Sequence, residues 1–223
     1  MSFAARFEDP PAVWGVGRVV VGDTVLTWPV SQHDIDDEAA ALAPRLVDLG
    51  LGDRGLVLIV SLLSQAIHVA PFEQAAGLLG ARYSSADATP YDAFRTVSLV
   101  RQLHPHVVLG VDASVCDGVE TLGADLGTVF ATVGAVASAD ADAQQRLEAS
   151  GVPTARWLRL GPTSAVSAPG DDVLVYDEQR WQVDAVDGEL ALTNRVARLT
   201  PCEGLRTGVR GQVLAPGRLR LDA

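Results

Sequence analysis

Apolar and polar positions along this chain of 223 residues fall into three successive patterns. The first is alternation. Val19-Val20-Val21, the turn pair Gly22-Asp23 and Thr24-Val25-Leu26-Thr27-Trp28 predict a hairpin over residues 18–28. Ile35, Ala39, Leu42, Leu46 and Leu49 then recur at helical spacing and predict a helix over 34–49. Ser31 suits its cap and Gly50 its end, while Pro44 should kink or split it.

In the second pattern, apolar runs alternate with helical stripes. Residues 56–62 and 106–111 read as strands buried on both faces. Between them a helix is predicted over 64–79, with Pro71 as a further kink and Gly80 as its stop. A short strand follows around 82–84, and Thr89-Pro90 opens a helix reaching Leu103. Residues 112–126 look less regular, 128–133 and 155–160 read as strands, and 138–150 as a helix. Such alternation implies a parallel sheet with helices on both faces. In the third pattern, residues 173–176, 181–186, 189–193 and 211–214 are short antiparallel strands, with Asp187-Gly188 as a hairpin turn and the Pro/Ser/Gly-rich 161–170 as a connector. The fold class is α/β with a small antiparallel β-rich C-terminal portion. Residues 1–126 form a first α/β unit, 127–165 a second segment that packs alone or with the first, and 166–223 the β-rich part.

Composition narrows the function classes. A net charge of −11 argues against nucleic acid, because phosphate binding needs a concentrated basic face. Arg195, Arg198, Arg206, Arg210, Arg218 and Arg220 read first as a solvated face, with an anion-binding cluster as the alternative. The apolar run 56–63 is too short to span a bilayer, and the N-terminus has no apolar segment after its first arginine, so no signal peptide and a cytoplasmic location are expected. Cys116 and Cys202 have no metal or redox spacing. All 17 basic residues are arginine. No lysine is available for a Schiff base or for a phosphate loop. The Ala/Val/Gly/Arg/Leu/Asp-rich composition suits a GC-rich bacterial genome.

Candidate acid–base groups are few. His104-Pro105-His106 invites a metal reading, but no Asp or Cys stands at ligand spacing; His104 and His106 stay weak catalytic candidates. His68 falls mid-helix, where a partly buried, hydrogen-bonded imidazole is the ordinary role and catalysis the alternative. His33, Asp36, Asp37 and Glu38 suit a helix N-terminus without any site. Ser64 follows a buried strand, where open α/β sheets place ligand contacts, yet no Gly-x-Ser-x-Gly surrounds it. No metal and no cofactor is predicted.

Longer fragments carry a resemblance. Leu49-Gly-Leu-Gly-Asp-Arg-Gly, the apolar strand, a helix ending Leu79-Gly80-Ala81 and His106-Val-Val-Leu-Gly-Val-Asp112 follow in order. Val133-Gly134-Ala135, Leu160-Gly161-Pro162-Thr163-Ser164, Gly188-Glu189-Leu190 and Leu205-Arg206-Thr207-Gly208-Val209 continue the series. Together they resemble the adenylate-forming superfamily of acyl- and aryl-CoA synthetases, amino-acid adenylation domains and luciferases. The resemblance implies an acyl and adenylate groove along Gly134-Ala135 and Gly161 to Thr163, and makes Gly134, Ala135, Gly161, Thr163 and Arg206 ligand-binding candidates. It is equally open that the glycines persist as turns only.

The departures fall on chemistry. The sixteen residues from Asp112 to Gly127 hold no Gly/Ser/Thr-rich loop with lysine, where the family cradles ATP phosphates. Ser164 aligns with the glutamate that helps hold Mg²⁺, and Val209 with the aspartate that grips the ribose. The family's C-terminal domain, with its lysine, has no counterpart. The resemblance therefore implies a synthetase-like protein without adenylation machinery, expected as a homo-oligomer or in complex with another protein and suited to natural-product biosynthesis. Three functions compete: a pseudoenzyme binding an acyl or carboxylate ligand or a partner; an ATP-independent acyl transferase, eliminase or hydrolase; and one subunit of a split ligase.

Overall fold

A computed structural model describes residues 12–222; the N-terminal residues inspected for a targeting signal lie outside them. Strands β1 (Val13–Val21) and β2 (Thr24–Ser31) form the predicted hairpin about Gly22-Asp23, longer at both ends than expected. Helix α1 (Gln32–Asp48) starts at Ser31, whose Oγ accepts the Asp34 N–H at 3.1 Å while Asp34 Oδ2 accepts the Ser31 N–H at 2.8 Å. That reciprocal cap is a capping box. Pro44 does not split α1. It stands on the exposed side with Ala40, so water can satisfy the carbonyl that Pro44 leaves unpaired.

Strand β3 (Leu56–Val60) is buried throughout and leads through a tight turn into helix α2 (Ala66–Leu78), which is also continuous through Pro71. Strand β4 (Arg82–Ala86), helix α3 (Ala93–Leu103) and buried strand β5 (Val107–Val111) follow. The stretch read as irregular contains helix α4 (Ala113–Thr121), capped by Asp112, with Val115, Cys116 and Val119 buried. Residues 128–133 are not a strand. Helix α5 (Leu126–Phe130) ends there, because Asp125 accepts the Thr128 N–H at 2.8 Å and Leu126, Val129 and Phe130 share one buried face. Strand β6 (Ala135–Ser138) comes after it, so helix α6 (Ala141–Ala149) starts three residues later than predicted, at the Asp140 cap.

The 161–170 connector is also corrected. After β7 (Thr154–Leu160) the chain reverses over Gly161-Pro162 into β8 (Thr163–Ser167), a fully buried strand. Its polar residues look loop-like in sequence, but each finds a partner. Thr163 Oγ1 donates to Glu38 at 2.7 Å, Ser164 Oγ accepts from Trp157 Nε1 at 3.0 Å, and Ser167 Oγ accepts the Arg156 N–H at 2.9 Å. Strands β9 (Leu174–Val175), β10 (Trp181–Val186), β11 (Glu189–Asn194), β12 (Leu205–Ala215) and β13 (Arg218–Leu221) complete the chain; β13 and the first half of β12 were not legible in sequence.

One sheet runs in the order β10-β11-β12-β13-β9-β8-β7-β6-β5-β3-β4, parallel from β7 to β4 and antiparallel elsewhere. Alternate residues of its parallel half point to two cores. Val57, Ile59, Leu109 and Trp157 pack under α1 and α2; Leu58, Val108 and Val136 pack under α3 to α6. A third core joins the hairpin to the antiparallel strands. Here two expectations fail. Glu38, read as needing no more than the helix N-terminus, is buried and also accepts from Trp181 Nε1 at 2.7 Å and pairs with Arg198. Arg198 is buried too, stacked 4.4 Å over the Trp181 ring, so the C-terminal arginines do not form one solvated face.

Candidate functional site: a cationic cavity at the strand ends

Strand β3 has β4 on one side and β5 on the other, which makes its carboxyl end a switch point, the usual place for a ligand in an open α/β sheet. A cavity of about 550 Å³ opens beyond the ends of β3, β6 and β7. Ser64, Gln65 and His68 reach it from the turn and helix after β3, Ala139 from the end of β6, and Leu158, Arg159 and Gly161 from the end of β7. Thr207-Gly208-Val209 form the opposite wall. That wall is held by β11: Glu189 accepts the Gly208 N–H at 2.7 Å, and Thr207 Oγ1 donates to the Leu190 carbonyl at 2.7 Å.

The hairpin closes one side. Arg18, Val20, Gly22 and Val25 line the cavity, and the fit is close. A Cβ on Gly17 would meet Ile67 carbons at 2.4–2.9 Å. Gly208, at φ +75°, lies so near the hairpin tip that a Cβ would come within 2.4 Å of the Gly22 nitrogen. Both the backbone conformation and the approach there require glycine.

The electrostatics of the cavity oppose those of the chain. Against a net charge of −11, its lining among the described residues holds Arg18, Arg159 and His68 and no carboxylate. Among the described residues Arg159 is partly buried with no carboxylate within 4.0 Å, only Arg156 shares that state, and the other buried or partly buried arginines are ion-paired. Burial therefore lowers the Arg159 pKa, opposed by the fields of Asp112 and Asp140. His68 is 4% exposed and its Nδ1 has no hydrogen-bond partner. Burial first, and Arg159 second, push its pKa down to about 3, so at neutral pH it is an uncharged imidazole.

Neighbouring helix N-termini are occupied by the chain itself. Asp112 Oδ1 accepts the Val115 N–H at 3.0 Å, and Asp140 accepts the Ala113 and Ala143 N–H groups at 2.9 and 2.7 Å. At the starts of α4 and α6 the Ala113, Val115 and Ala143 N–H donors are therefore engaged by carboxylates.

The sequence-derived candidates separate. Gly161 lines the cavity, and His68 does so as a buried imidazole with one unpaired nitrogen, not a fully satisfied one. Thr163 is two residues on, bonded to Glu38 away from the lining. Gly134 and Ala135 lie at the amino end of β6, the opposite end of the sheet, where the Gly134 N–H donates to the His106 carbonyl at 2.9 Å. His106 stands there too, its Nδ1 accepting the Leu56 N–H at 3.3 Å, and His104 is the exposed residue ending α3. Arg206 is engaged by Glu189 at 2.7 Å and by Asp187, outside the lining. Sequence reasoning missed Arg159 and Arg18. An arginine inside the apolar run Trp157-Leu158-Arg159-Leu160 was the available signal. Among the described residues no group of three or more His, Cys, Asp or Glu side chains could hold a metal ion, and no helix is long and apolar enough to cross a membrane.

The fold is similar to that of solved acyl- and aryl-CoA ligases. An open conformation of 2-hydroxyisobutyryl-CoA ligase, solved with 2-HIB-AMP and CoA, superposes with a TM-score of 0.73 at 14% identity, over 94% of this chain and 52% of that chain. Anthranilate CoA ligase AuaEII with anthranoyl-AMP gives 0.67 at 13% identity, over 95% and 47%. A malonyl-CoA ligase with methylmalonyl-CoA and AMP gives 0.60 at 14%, over 96% and 53%. The chain thus spans about half the length of the ligases it resembles. No protein-family model and no curated protein matches the sequence.

Proposed function

We propose that the chain is a ligase-like scaffold that binds an acyl or carboxylate ligand at the strand ends and does not adenylate it. The observation that carries this reading is the convergence of Gly161 and Thr207-Gly208-Val209 on one cavity with Arg18, Arg159 and His68 and, among the described residues, no carboxylate. Its volume falls inside the roughly 300–1,000 Å³ of ordinary ligand sites. Val209 presents an apolar side chain where the resemblance expects an acid, the Ser164 hydroxyl is committed to Trp157, and no lysine exists in the sequence. Phosphoryl chemistry depends on positioned charge. Loss of a single electrostatic donor costs about 10²–10³ in rate, so loss of several leaves no useful adenylation.

Thermal-shift titration with short- and medium-chain acids, aryl acids and their CoA thioesters tests the reading. A saturable rise in Tm with at least one of them is expected, since a ligand bound to the native state alone stabilises it. No shift with any of them at millimolar concentration sinks it. A second reading, ATP-independent acyl chemistry, is favoured only by the unpaired Nδ1 of His68. A pKa near 3 makes that imidazole a weak base at neutral pH, which ranks this reading lower. Consumption of a thioester without ATP, abolished in His68→Gln, would establish it.

A further inference from the structure

We propose that β4 is a dimerisation edge: it pairs antiparallel with β4 of a second copy of this chain, about a two-fold axis at Ser84, and extends the sheet across both molecules. No residue of β4 lines the cavity, so this pairing stands apart from ligand binding.

The backbone sets the register. Strand β4 ends the sheet, with β3 on one side and, among the described residues, no strand on the other. The Arg82 N–H donates to the Gly55 carbonyl at 2.9 Å, and the Ala86 carbonyl accepts from the Ser61 N–H at 3.0 Å. Arg82, Ser84 and Ala86 therefore turn their peptide groups to β3. By the strand period, Tyr83 and Ser85 turn theirs outward. That pair of positions is self-complementary. With Ser84 opposite its own copy, Tyr83 of each chain faces Ser85 of the other, and each such pair exchanges both of its N–H···O bonds. Nothing in β4 blunts the edge: it holds no proline, and its register with β3 has no bulge. At the opposite edge of the sheet the first N–H of β10 is already taken, since Trp181 donates to the Asp177 carbonyl at 2.9 Å.

Side chains favour the same arrangement. Arg82 starts β4 and Asp87 follows its end; both are exposed, and among the described residues neither has an ion partner within 4.0 Å. Antiparallel pairing brings Arg82 of each chain to the end where Asp87 of the other stands, whereas parallel pairing would set like charges side by side. Tyr83 is 51% exposed and shares its face of the sheet with Val57, beneath α2. Leu78, the last residue of α2, is 62% exposed. A second copy covers apolar surface here as well as peptide groups. Five residues of strand and one helix end per chain make a small interface, below the roughly 1,200–2,000 Å² of stable complexes, so the dimer is reversible.

Sedimentation equilibrium of the full chain from about 5 to about 500 μM tests the proposal. The mass should rise with concentration from 23.4 kDa toward twice that value. Ser85→Pro removes an outward N–H without touching the ladder to β3, and should stay monomeric over the whole range with the circular dichroism of the parent. Arg82→Glu should weaken association about threefold or more, and adding Asp87→Arg should restore it. Cysteine trapping reads the register. Opposite residues of a non-hydrogen-bonded pair stand about 4.5 Å apart at Cα, within disulfide reach. Under mild oxidation Ser84→Cys should give a covalent dimer and Tyr83→Cys should not; the native Cys116 and Cys202 are buried. A parent that stays monomeric at the highest concentration overturns the proposal and leaves the edge to a different protein. A Ser85→Pro chain that dimerises as the parent does, or Ser84→Cys that fails to cross-link, also overturns it. The concentration series and the trapping need no proline variant to fold.

Discussion

Removing Arg198 should expose how firmly the β-rich part is fastened to α1. Asp34, Glu38 and Arg198 are 3%, 5% and 5% exposed. Glu38 accepts from Thr163 Oγ1 and Trp181 Nε1, both at 2.7 Å, and pairs with Arg198, which lies 3.8 Å from Asp34. Arg198→Met keeps most of the side-chain volume but leaves Glu38 charged in an apolar setting. Breaking a buried pair from one side costs about 3–5 kcal/mol, against a total stability of about 5–15 kcal/mol. For a chain of this size each kcal/mol moves Tm by roughly 2–4 °C, so a fall of roughly 6–20 °C is expected. Adding Glu38→Gln should restore much of the loss, because the amide still serves Trp181 and Thr163 without a charge. Urea unfolding of the parent, both single variants and the double variant closes the cycle, with an expected coupling of about 2 kcal/mol or more. A loss below about 1 kcal/mol in Arg198→Met, or simple additivity in the double variant, would refute the reasoning.

Other outcomes follow from the same structure. His68 has a folded pKa of about 3 against the ordinary 6.5 of an exposed imidazole, so its contribution is present above pH 6.5 and is lost as pH falls from there toward 3. Between pH 6.5 and 5 the parent should lose roughly 2 kcal/mol that His68→Leu does not, read from urea midpoints; parallel pH profiles would contradict this. Asp140→Ala removes acceptors from the starts of both α4 and α6 and should cost roughly 1–3 kcal/mol, more than Asp125→Ala, which uncaps α5 alone. Burial pushes the Cys116 and Cys202 thiols up to about 12 and about 11, so neither should react with a thiol reagent at pH 8 until the chain is unfolded. Gly208→Ala must shift the hairpin tip, and hydrogen exchange over residues 18–26 should accelerate relative to the parent.

Legibility of the sequence varied with the physical signal available. The strands β3 and β5 are visible because a strand covered on both faces must be apolar throughout. The cap at Ser31 and the turns at Gly22-Asp23 and Asp187-Gly188 are visible because local backbone geometry demands those residues. Strand β8 was hidden, since its Thr and Ser residues are buried only by virtue of Glu38, far away in sequence, and of Trp157 and Arg156 on the paired strand β7. Helix α5 was hidden by a Thr-Val-Phe run that favours strand locally, until the Asp125 cap is considered. The cavity divides in the same way. Gly161 was legible as a turn, but Arg159 and Arg18 are recognisable only once burial shows which arginines lack a partner. Gly134 and Ala135 failed as cavity residues because the two ends of a strand look alike in one dimension. Four residues of β6, about 13 Å of extended chain, separate the amino end they occupy from the carboxyl end that faces the cavity.

ATP–pyrophosphate exchange by the purified chain tests the central claim most directly. With hexanoate or benzoate, Mg²⁺ and ATP present, no exchange above a protein-free blank is expected. Exchange that depends on the acid and is catalysed by this chain alone would contradict it.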